Sequence, residues 1–500
     1  MSTPPSRRPN ILLITADQLR ADALGCYGNP ICRTPNLDAL AARGVAFDNG
    51  LTPCPICVPA RATITTGNYP HVCTGFKDNT GRIRDDQVKI AAHFAAAGYE
   101  TYACGKLHYV PYAPPGEPRL LHGFQHCELT ESGRYVWERD PKYQHPGLED
   151  YIDYLASVGW GGYSRAHGSG NNDVRPCPSP LPKEHTVDHW VADCTIRRLA
   201  EHTRDRAGQP FFILCAFPKP HTPLDPPYEY AALYDPRELP DPFGGPEDLP
   251  HRTPVMEQTR YTHGISSLSP AAIKVIRAYY YGLVTWQDEQ IGRVMAALRQ
   301  SGRADDTIVI FTADHGDLLG DFGSFFKCNF QDGSVRVPYI VSGPGVPASH
   351  RREQLVGLQD ILPTLAGRTG CPLPKAVQGQ DLSPILADPV AAGRDLFYSQ
   401  CFDKPRQIAM VTDGRWKYCY NQEGPSEELY DRAADPHELV NLATRPEGRK
   451  LLPEWRERLM AEARRLGDDD MLPGGKLPTT TLDRSGFSKL PISGLGWRWF

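Results

Sequence analysis

Short apolar runs, each closed by a polar cluster, recur along the chain. Asn10–Ala16 (NILLITA) is dominated by Ile and Leu, as expected of a strand buried on both faces, and Asp17 follows at once. Thr34 precedes Pro35, with Leu37, Leu40 and Ala41 on one helical face and Gly44 beyond. That pattern predicts a helix capped by Thr34 and stopped at Gly44. Gln87–Ala97 reads as a helix ended by Gly98, and Glu100–Cys104 as a strand running into Lys106 and His108. Val187–His202 is helical, and Pro210–Phe217 (PFFILCAF) is a buried strand leading to Lys219 and His221. Pro270–Gln300 is one long helix, and Thr307–Thr312 (TIVIFT) a strand ending on Asp314 and His315.

Strands alternating with helices predict an α/β fold, with a mostly parallel sheet and helices on both faces. Ligands bind such sheets beyond the carboxyl ends of the strands. Four polar clusters stand at such ends, so they are expected to converge although about 300 residues separate the first from the last. Between Tyr109 and Glu184 the pattern dissolves into Gly, Pro and aromatic residues, which suggests a functional loop system or lid. Beyond Pro374, three short runs (Asp395–Cys401, Gln407–Thr412, Trp416–Tyr420) and a helix over Pro446–Leu466 predict a smaller α+β domain. The division expected is 1–374 and 375–500. The tail Gly467–Phe500 ends in Trp497, Trp499 and Phe500, rings that are expected to pack on this chain or on a neighbour.

Composition adds exclusions. The chain has 500 residues, 40% hydrophobic and 23% charged, with a formal net charge of -5. Nothing in that balance points to a nucleic-acid or anionic-membrane partner. No run of about 18 apolar residues offers a membrane span, and Met1–Pro9 lacks the apolar stretch of a signal peptide. The 14 Cys are scattered, unlike a disulfide scaffold, so a reducing cytoplasm is the simpler expectation.

Asp17, Asp314 and His315, with the amide oxygen of Gln18, suit a hard or borderline divalent cation. Taken alone, Asp17 is as easily a helix cap and His315 a core histidine. In Cys57-Val58-Pro59-Ala60-Arg61, Pro59 suits a first helical position, with a helix running to Thr66 and stopping at Gly67. Cys57 then stands just before a helix N-terminus that favours a developing anion, with Arg61 one turn on. Hydrolysis of a sulfate or phosphate ester needs such a positive nucleophile site. Cys54-Pro55-Ile56-Cys57 is also a C-x-x-C, open to a redox or zinc reading. A redox pair should follow the first strand of a βαβ unit, however, and Cys26 with Cys32 has the wrong spacing to complete a zinc site.

Cys-x-Pro-x-Arg followed by Thr65-Thr66-Gly67 resembles the signature of the type I, formylglycine-dependent sulfatases. Further segments resemble that family in order: Thr15-Ala16-Asp17-Gln18, where many members have Asp in place of Gln18, then Gly105-Lys106-Leu107-His108 and Pro220-His221-Thr222-Pro223. Ala313-Asp314-His315-Gly316 with Leu319-Gly320-Asp321 and Lys327 follows, and Glu428-Leu429-Tyr430-Asp431 through Asn441-Leu442 resembles the family's C-terminal signature. The resemblance implies an alkaline-phosphatase-like fold, with a large mixed, mostly parallel sheet flanked by helices and a smaller C-terminal domain. It implies hydrolysis of a small-molecule or saccharide sulfate ester. It also implies that Cys57 is converted by a formylglycine-generating enzyme to an aldehyde whose hydrate attacks the ester. Asp17, Gln18, position 57, Asp314 and His315 would hold one divalent metal, Ca²⁺ first and Mn²⁺ as the alternative.

The same resemblance casts Arg61 as stabilising the nucleophile, and Lys106 and Lys327 as neutralising the transferring group. His221 would protonate the leaving oxygen, and His108 would assist breakdown of the sulfated hemiacetal. Tails in this family often cross to another subunit, so a homo-oligomer is expected. Phosphonate and phosphate monoester hydrolases share the motif and resemble this chain in Gln18 and Asn79, the latter a candidate substrate contact. They carry less basic residues where this chain has Lys106 and His108, which favours the sulfate ester. For the organic part of the substrate, Tyr112, Tyr135, Trp137, Trp160 and Tyr163 are candidate stacking residues, and Arg134, Arg139, Arg165 and Arg175 candidate anion contacts.

Overall fold

The computed structural model describes residues 8–483 apart from 109–117, 141, 246–253, 255 and 258–267. Tyr112, the side chains of Trp137 and Arg139, and the tail rings Trp497, Trp499 and Phe500 lie outside the described residues. No described helix is long and apolar enough to cross a membrane.

Eight strands form the main sheet: β1 (Asn10–Asp17), β2 (Gly44–Leu51), β3 (Glu100–Gly105), β4 (His126–Leu129), β5 (Phe211–Pro220), β6 (Thr307–Ala313), β7 (Tyr339–Ser342) and β8 (His350–Gly357). Their order is β4-β3-β5-β1-β6-β7-β2-β8. Only β7 runs against its neighbours, β6 and β2, and all other pairs are parallel. The sheet is therefore mixed and mostly parallel. β1 lies near its middle, in register with β6 from Asn10↔Thr307 to Ala16↔Ala313. Ile11, Leu12, Leu13 and Ile14 are at most 2% exposed, and burying each contributes roughly 2 kcal/mol as an upper estimate.

The helices that position the site are α1 (Pro35–Ala42), α2 (Cys57–Thr66), α3 (Ile90–Ala96), α4 (Val187–Asp205) and α5 (Pro270–Gln300). α4 and α5 pack on each other and on β5, while α1 packs on β2 and β7. Thr34 is not the side-chain cap of α1, since its hydroxyl accepts from Gly25 N–H and donates to Asp38. The Asp288 carboxylate of α5 caps instead, accepting from Asn36 N–H (3.1 Å) and Leu37 N–H (2.8 Å). Gly44 is not a helix stop either. It opens β2, where a Cβ would stand 2.1 Å from the Val341 carbonyl oxygen.

A second, antiparallel sheet has the order β12-β11-β10-β9, from β9 (Phe397–Cys401), β10 (Ile408–Thr412), β11 (Trp416–Asn421) and β12 (Ser426–Asp431). Helix α6 (Leu452–Leu466) covers it, with Trp455, Leu459 and Ala463 against Tyr398, Val411 and Tyr418. The single helix expected from Pro446 is divided, since Pro446–Arg449 is separate and α6 restarts at Leu452. Pro453 has no N–H to bond back one turn, so it suits a first turn but not a helix interior.

Candidate active site

β3, β5, β1 and β6 lie side by side and parallel, so their carboxyl ends share one edge of the sheet. Asp17 ends β1, Lys106 follows β3, His221 follows β5, and Asp314 and His315 follow β6. The convergence expected from the sequence is thus realised. Two backbone features make the ends tight. Gly105 has φ 107°, and a Cβ there would meet the Ala216 carbonyl oxygen at 2.0 Å. Gln18 adopts φ 64°, left-handed for a non-glycine residue. It is held there by its N–H on Asp314 Oδ1 (3.1 Å) and by the Tyr280 hydroxyl on its carbonyl (2.8 Å).

Cys57 is the first residue of α2, two residues earlier than a start at Pro59 implies, with Ile56 extended as the N-cap. Pro59 is accommodated because first-turn N–H groups have no intrahelical partner. Asn79, the candidate substrate contact, has its amide oxygen accepting from Val58 N–H (3.1 Å) in the first turn of this helix. Gly67, at φ 70°, ends the helix as predicted.

Around Cys57 the charges alternate. Its Sγ is 3.0 Å from His315 Nε2, while His315 Nδ1 donates to the Gly316 carbonyl (2.9 Å). Arg61 donates through Nε to Asp314 Oδ2 (2.8 Å) and through Nη1 to the Lys106 carbonyl (2.9 Å), and its Nη2 is 3.3 Å from Asp17. Lys106 Nζ is 2.5 Å from Asp17 Oδ2. Lys327 Nζ donates to Gln18 Oε1 (2.5 Å), whose Nε2 donates to Asp317 (2.6 Å). In this arrangement Lys327 occupies the oxygen that Gln18 would offer a cation.

Burial alone would raise the Asp17 carboxyl, yet Lys106, His221 and Arg61 hold it well below the usual carboxylate range. Burial likewise opposes ionisation of Cys57, and Lys327 with His315 nevertheless holds its thiol below the ordinary value. His315 is pushed up to about 9 by Asp314 and Cys57, against the effect of burial. Burial and Lys327 push His221 well down. Its Nδ1 faces the Thr222 carbonyl at 2.9 Å, so Nε2 is the nitrogen left for chemistry.

Asp17, Cys57, Asp314 and His315 are all buried, and one ligand atom from each lies within 4.8 Å of the others. Asp17 Oδ1 is buried without a hydrogen-bond partner, a costly arrangement unless a cation faces it. Two carboxylates and an imidazole nitrogen suit one divalent ion, so the residues present fit the metal that the sequence implied.

Two further residues of the site escaped the sequence reading. Glu131, just past the edge strand β4, is 3.8 Å from Lys106 Nζ and contacts His108 Nδ1. Asp317 accepts from Leu319 N–H and Phe326 N–H, each at 2.7 Å, and so folds the loop that carries Lys327. Asp321 is structural, paired with Arg20 (2.7 Å) and Arg277 (2.5 Å). Of the candidate substrate contacts, Trp160 packs edge-on against Tyr163 at 5.3 Å. Arg165 donates to the Ser132 carbonyl, Arg175 pairs with Asp173, and Tyr135 packs on the main core. None of these contacts involves the residues around Cys57. The Cys54 thiol donates to the Lys77 carbonyl (3.7 Å) inside an apolar cluster with Leu51, Ile56 and Cys401, whereas Cys57 Sγ faces His315, which speaks against the C-x-x-C reading.

The family model described as sulfatase matches residues 9–371, and one for the C-terminal part of N-sulphoglucosamine sulphohydrolase matches residues 320–465. An arylsulfatase of Clostridium perfringens is 32% identical over 473 residues, covering 91% of this chain and 94% of that protein. A choline-sulfatase of Rhizobium meliloti is 30% identical over 450 residues, covering 88% of this chain and 83% of that protein. Among solved structures, a phosphonate monoester hydrolase of Agrobacterium radiobacter superposes with a TM-score of 0.77 at 27% identity, covering 92% of this chain and 96% of that chain.

Proposed function

The chain belongs to the sulfatase family of sulfuric ester hydrolases, and from that premise we propose that it hydrolyses a small-molecule or saccharide sulfate monoester, with position 57 as nucleophile in its formylglycine form. The observation that carries this reading is the ring of Arg61, Lys106 and Lys327 around Cys57, itself at the first turn of a helix. Cysteine stands at position 57 in the structure, and its Sγ marks the place of the nucleophilic oxygen. Asp17, Asp314, His315 and position 57 would hold one divalent ion, Ca²⁺ in preference to Mn²⁺. When bound, that ion supplies positive charge to the nucleophile and to one ester oxygen.

The residues of the chain itself do the remainder. Arg61 is fixed by Asp314 and by the Lys106 carbonyl, so it is aimed at position 57 without reorganising. Lys106 is held by Asp17 and Lys327 by Gln18, and both neutralise an arriving anionic group. His221 Nε2 is free to hand a proton to the leaving oxygen, and an incoming anion offsets the Lys327 charge that keeps the ring neutral. His108, oriented by Glu131, stands on the Lys106 side, where it assists release of sulfate from position 57.

The likeness to a phosphonate monoester hydrolase, together with Gln18, favours a second reading in which a phosphonate or phosphate ester is the substrate. Lys106 and His108 argue for the sulfate. A rate comparison between an aryl sulfate and an aryl phosphonate ester decides, and a faster phosphonate reaction would reverse the assignment. Lys106→Ala should cost the sulfate ester more than the phosphonate ester, and equal losses would remove the reason for the preference. Peptide mass mapping around position 57 tests the aldehyde independently, since only conversion replaces the thiol mass by that of an aldehyde.

A further inference from the structure

Three cysteines that this chemistry leaves unused, Cys54, Cys328 and Cys401, meet beside the nucleophile turn. They come from separate segments joined by backbone hydrogen bonds: Gln400 N–H donates to the Pro53 carbonyl (2.9 Å), Cys328 N–H to the Pro55 carbonyl (3.1 Å) and Phe402 N–H to the Lys77 carbonyl (3.1 Å). Cys54 and Cys401 sit in one buried apolar cluster, and Cys328 packs against it. Cys54 and Cys401 are 0% exposed, whereas Cys328 is partly exposed. Cys328 directly follows Lys327, in a left-handed backbone conformation at φ 73°. All three are free thiols.

We infer that Cys328 and Cys401 form a reversible disulfide on exposure to hydrogen peroxide, and that this bond draws Lys327 out of its place in the active site. The partly exposed Cys328 is the thiol a small oxidant reaches first. Its contact with Cys401 and the neighbouring charge of Lys327 favour its thiolate, although burial opposes this. The Cys328 thiolate attacks one peroxide oxygen, the O–O bond breaks, and hydroxide leaves to take up a proton as water. The sulfur of Cys401 then gives up its proton and displaces the remaining oxygen from Cys328 as a second water. Two thiols and one peroxide thus become one disulfide and two waters. Cys54, enclosed on the far side with its thiol toward the Lys77 carbonyl (3.7 Å), stays reduced.

Closing the bond pulls the two sulfurs nearer than thiol contact allows. Cys401 is fixed in β9, and Cys328 sits in a loop, so the loop moves. Lys327 then leaves Gln18 Oε1, to which it donates at 2.5 Å. A displacement of about 1 Å in a charge-positioning group costs on the order of 100-fold in turnover. The functional half of the inference rests on Lys327 neutralising substrate charge, whereas disulfide formation does not.

The test treats the full chain with hydrogen peroxide, alkylates the remaining thiols and maps the peptides while turnover is followed. A Cys328–Cys401 cross-link should appear at the rate at which turnover falls, by tenfold or more, and dithiothreitol should restore both. Cys401→Ser and the more exposed Cys328→Ser should keep basal turnover and resist peroxide. The proposal is overturned if Cys328 and Cys401 stay open to alkylation, if Cys54 is the residue cross-linked, or if both serine variants lose turnover as fast as the parent. A cross-link with unchanged turnover would overturn the effect on Lys327. Lys327→Ala, assayed separately, shows whether the fault lies in the role given to that lysine.

Discussion

Replacing Glu131 with glutamine removes one buried negative charge and little else. Its carboxylate is 1% exposed, contacts His108 and lies 3.8 Å from Lys106 Nζ. Burial raises its pKa, but His108 and Lys106 more than offset that and bring it from the ordinary 4.5 down to about 2. At about 1.4 kcal/mol per unit, the difference is worth about 3 kcal/mol. Because the folded-state value is the lower one, this stability is lost as pH falls from 4.5 toward 2. Glutamine imitates the protonated carboxyl, so Glu131→Gln should lose up to about 3 kcal/mol where His108 is charged, and less near neutral pH, where burial holds the imidazole below its ordinary value and so uncharged. The loss should therefore deepen on mild acidification as His108 charges, and shrink again below about 4.5. Urea unfolding followed by circular dichroism measures it. Turnover should fall as well, by tenfold or more, because Lys106 and His108 lose their common anchor. A loss that stays below about 1 kcal/mol throughout this range, or one that does not grow between neutral and mildly acid pH, would refute the reasoning.

Cys57→Ala should abolish turnover while leaving the unfolding midpoint nearly unchanged, and wild-type turnover in that variant would end the nucleophile assignment. Chelation should abolish activity and restored metal should recover it, whereas Asp314→Ala should bind no metal by elemental analysis. A metal-free and active Asp314→Ala protein contradicts the site. Gly105→Ala should cost roughly 2–4 kcal/mol and displace Lys106, because the Cβ collides with the Ala216 carbonyl. Gly98→Ala, also at positive φ but with nothing within 4 Å, should cost only about 1 kcal/mol by thermal unfolding.

The parts of this fold that the sequence made legible are those buried on both sides. β1, β5 and β6 are covered from end to end, so an unbroken apolar run is the pattern they require, and each was found with its polar terminus. β8 lies at the sheet edge, and its first half, His350–Glu353, is largely exposed and charged. β2 pairs with β8 but contains Asp48, Asn49 and Gly50. β4, at the other edge, has four residues. None carries a clean two-residue alternation, and all were missed. Glu131 was lost with β4, since its place is meaningful only once a strand is known to end beside it. Asp317 and Asn79 act on backbone N–H groups that no spacing reveals. The cap of α1 escaped for the same reason, because Asp288 lies 252 residues from Asn36.

The two sheets also depend on each other at the point that matters for catalysis. The turn before Cys57 is held from the C-terminal side, with the Ser399 hydroxyl on the Thr52 carbonyl (3.0 Å) and Gln400 N–H on the Pro53 carbonyl (2.9 Å). Lys77, on the segment after the nucleophile helix, reaches the second core, where its Nζ meets Asp468 Oδ1 at 2.8 Å with both side chains buried. Asp468 in turn accepts from the Tyr398 hydroxyl at 2.8 Å. On the other flank, Lys417 of β11 is 1% exposed and pairs with Asp332 at 2.6 Å, five residues after Lys327. Breaking a buried pair of this kind costs about 3–5 kcal/mol, so these links are comparable with the whole stability of an ordinary domain. The small sheet therefore does more than follow the catalytic one. It fixes both the turn that presents Cys57 and the loop that presents Lys327, and a nucleophile and an anion-binding lysine held on one frame need little reorganisation when an ester arrives.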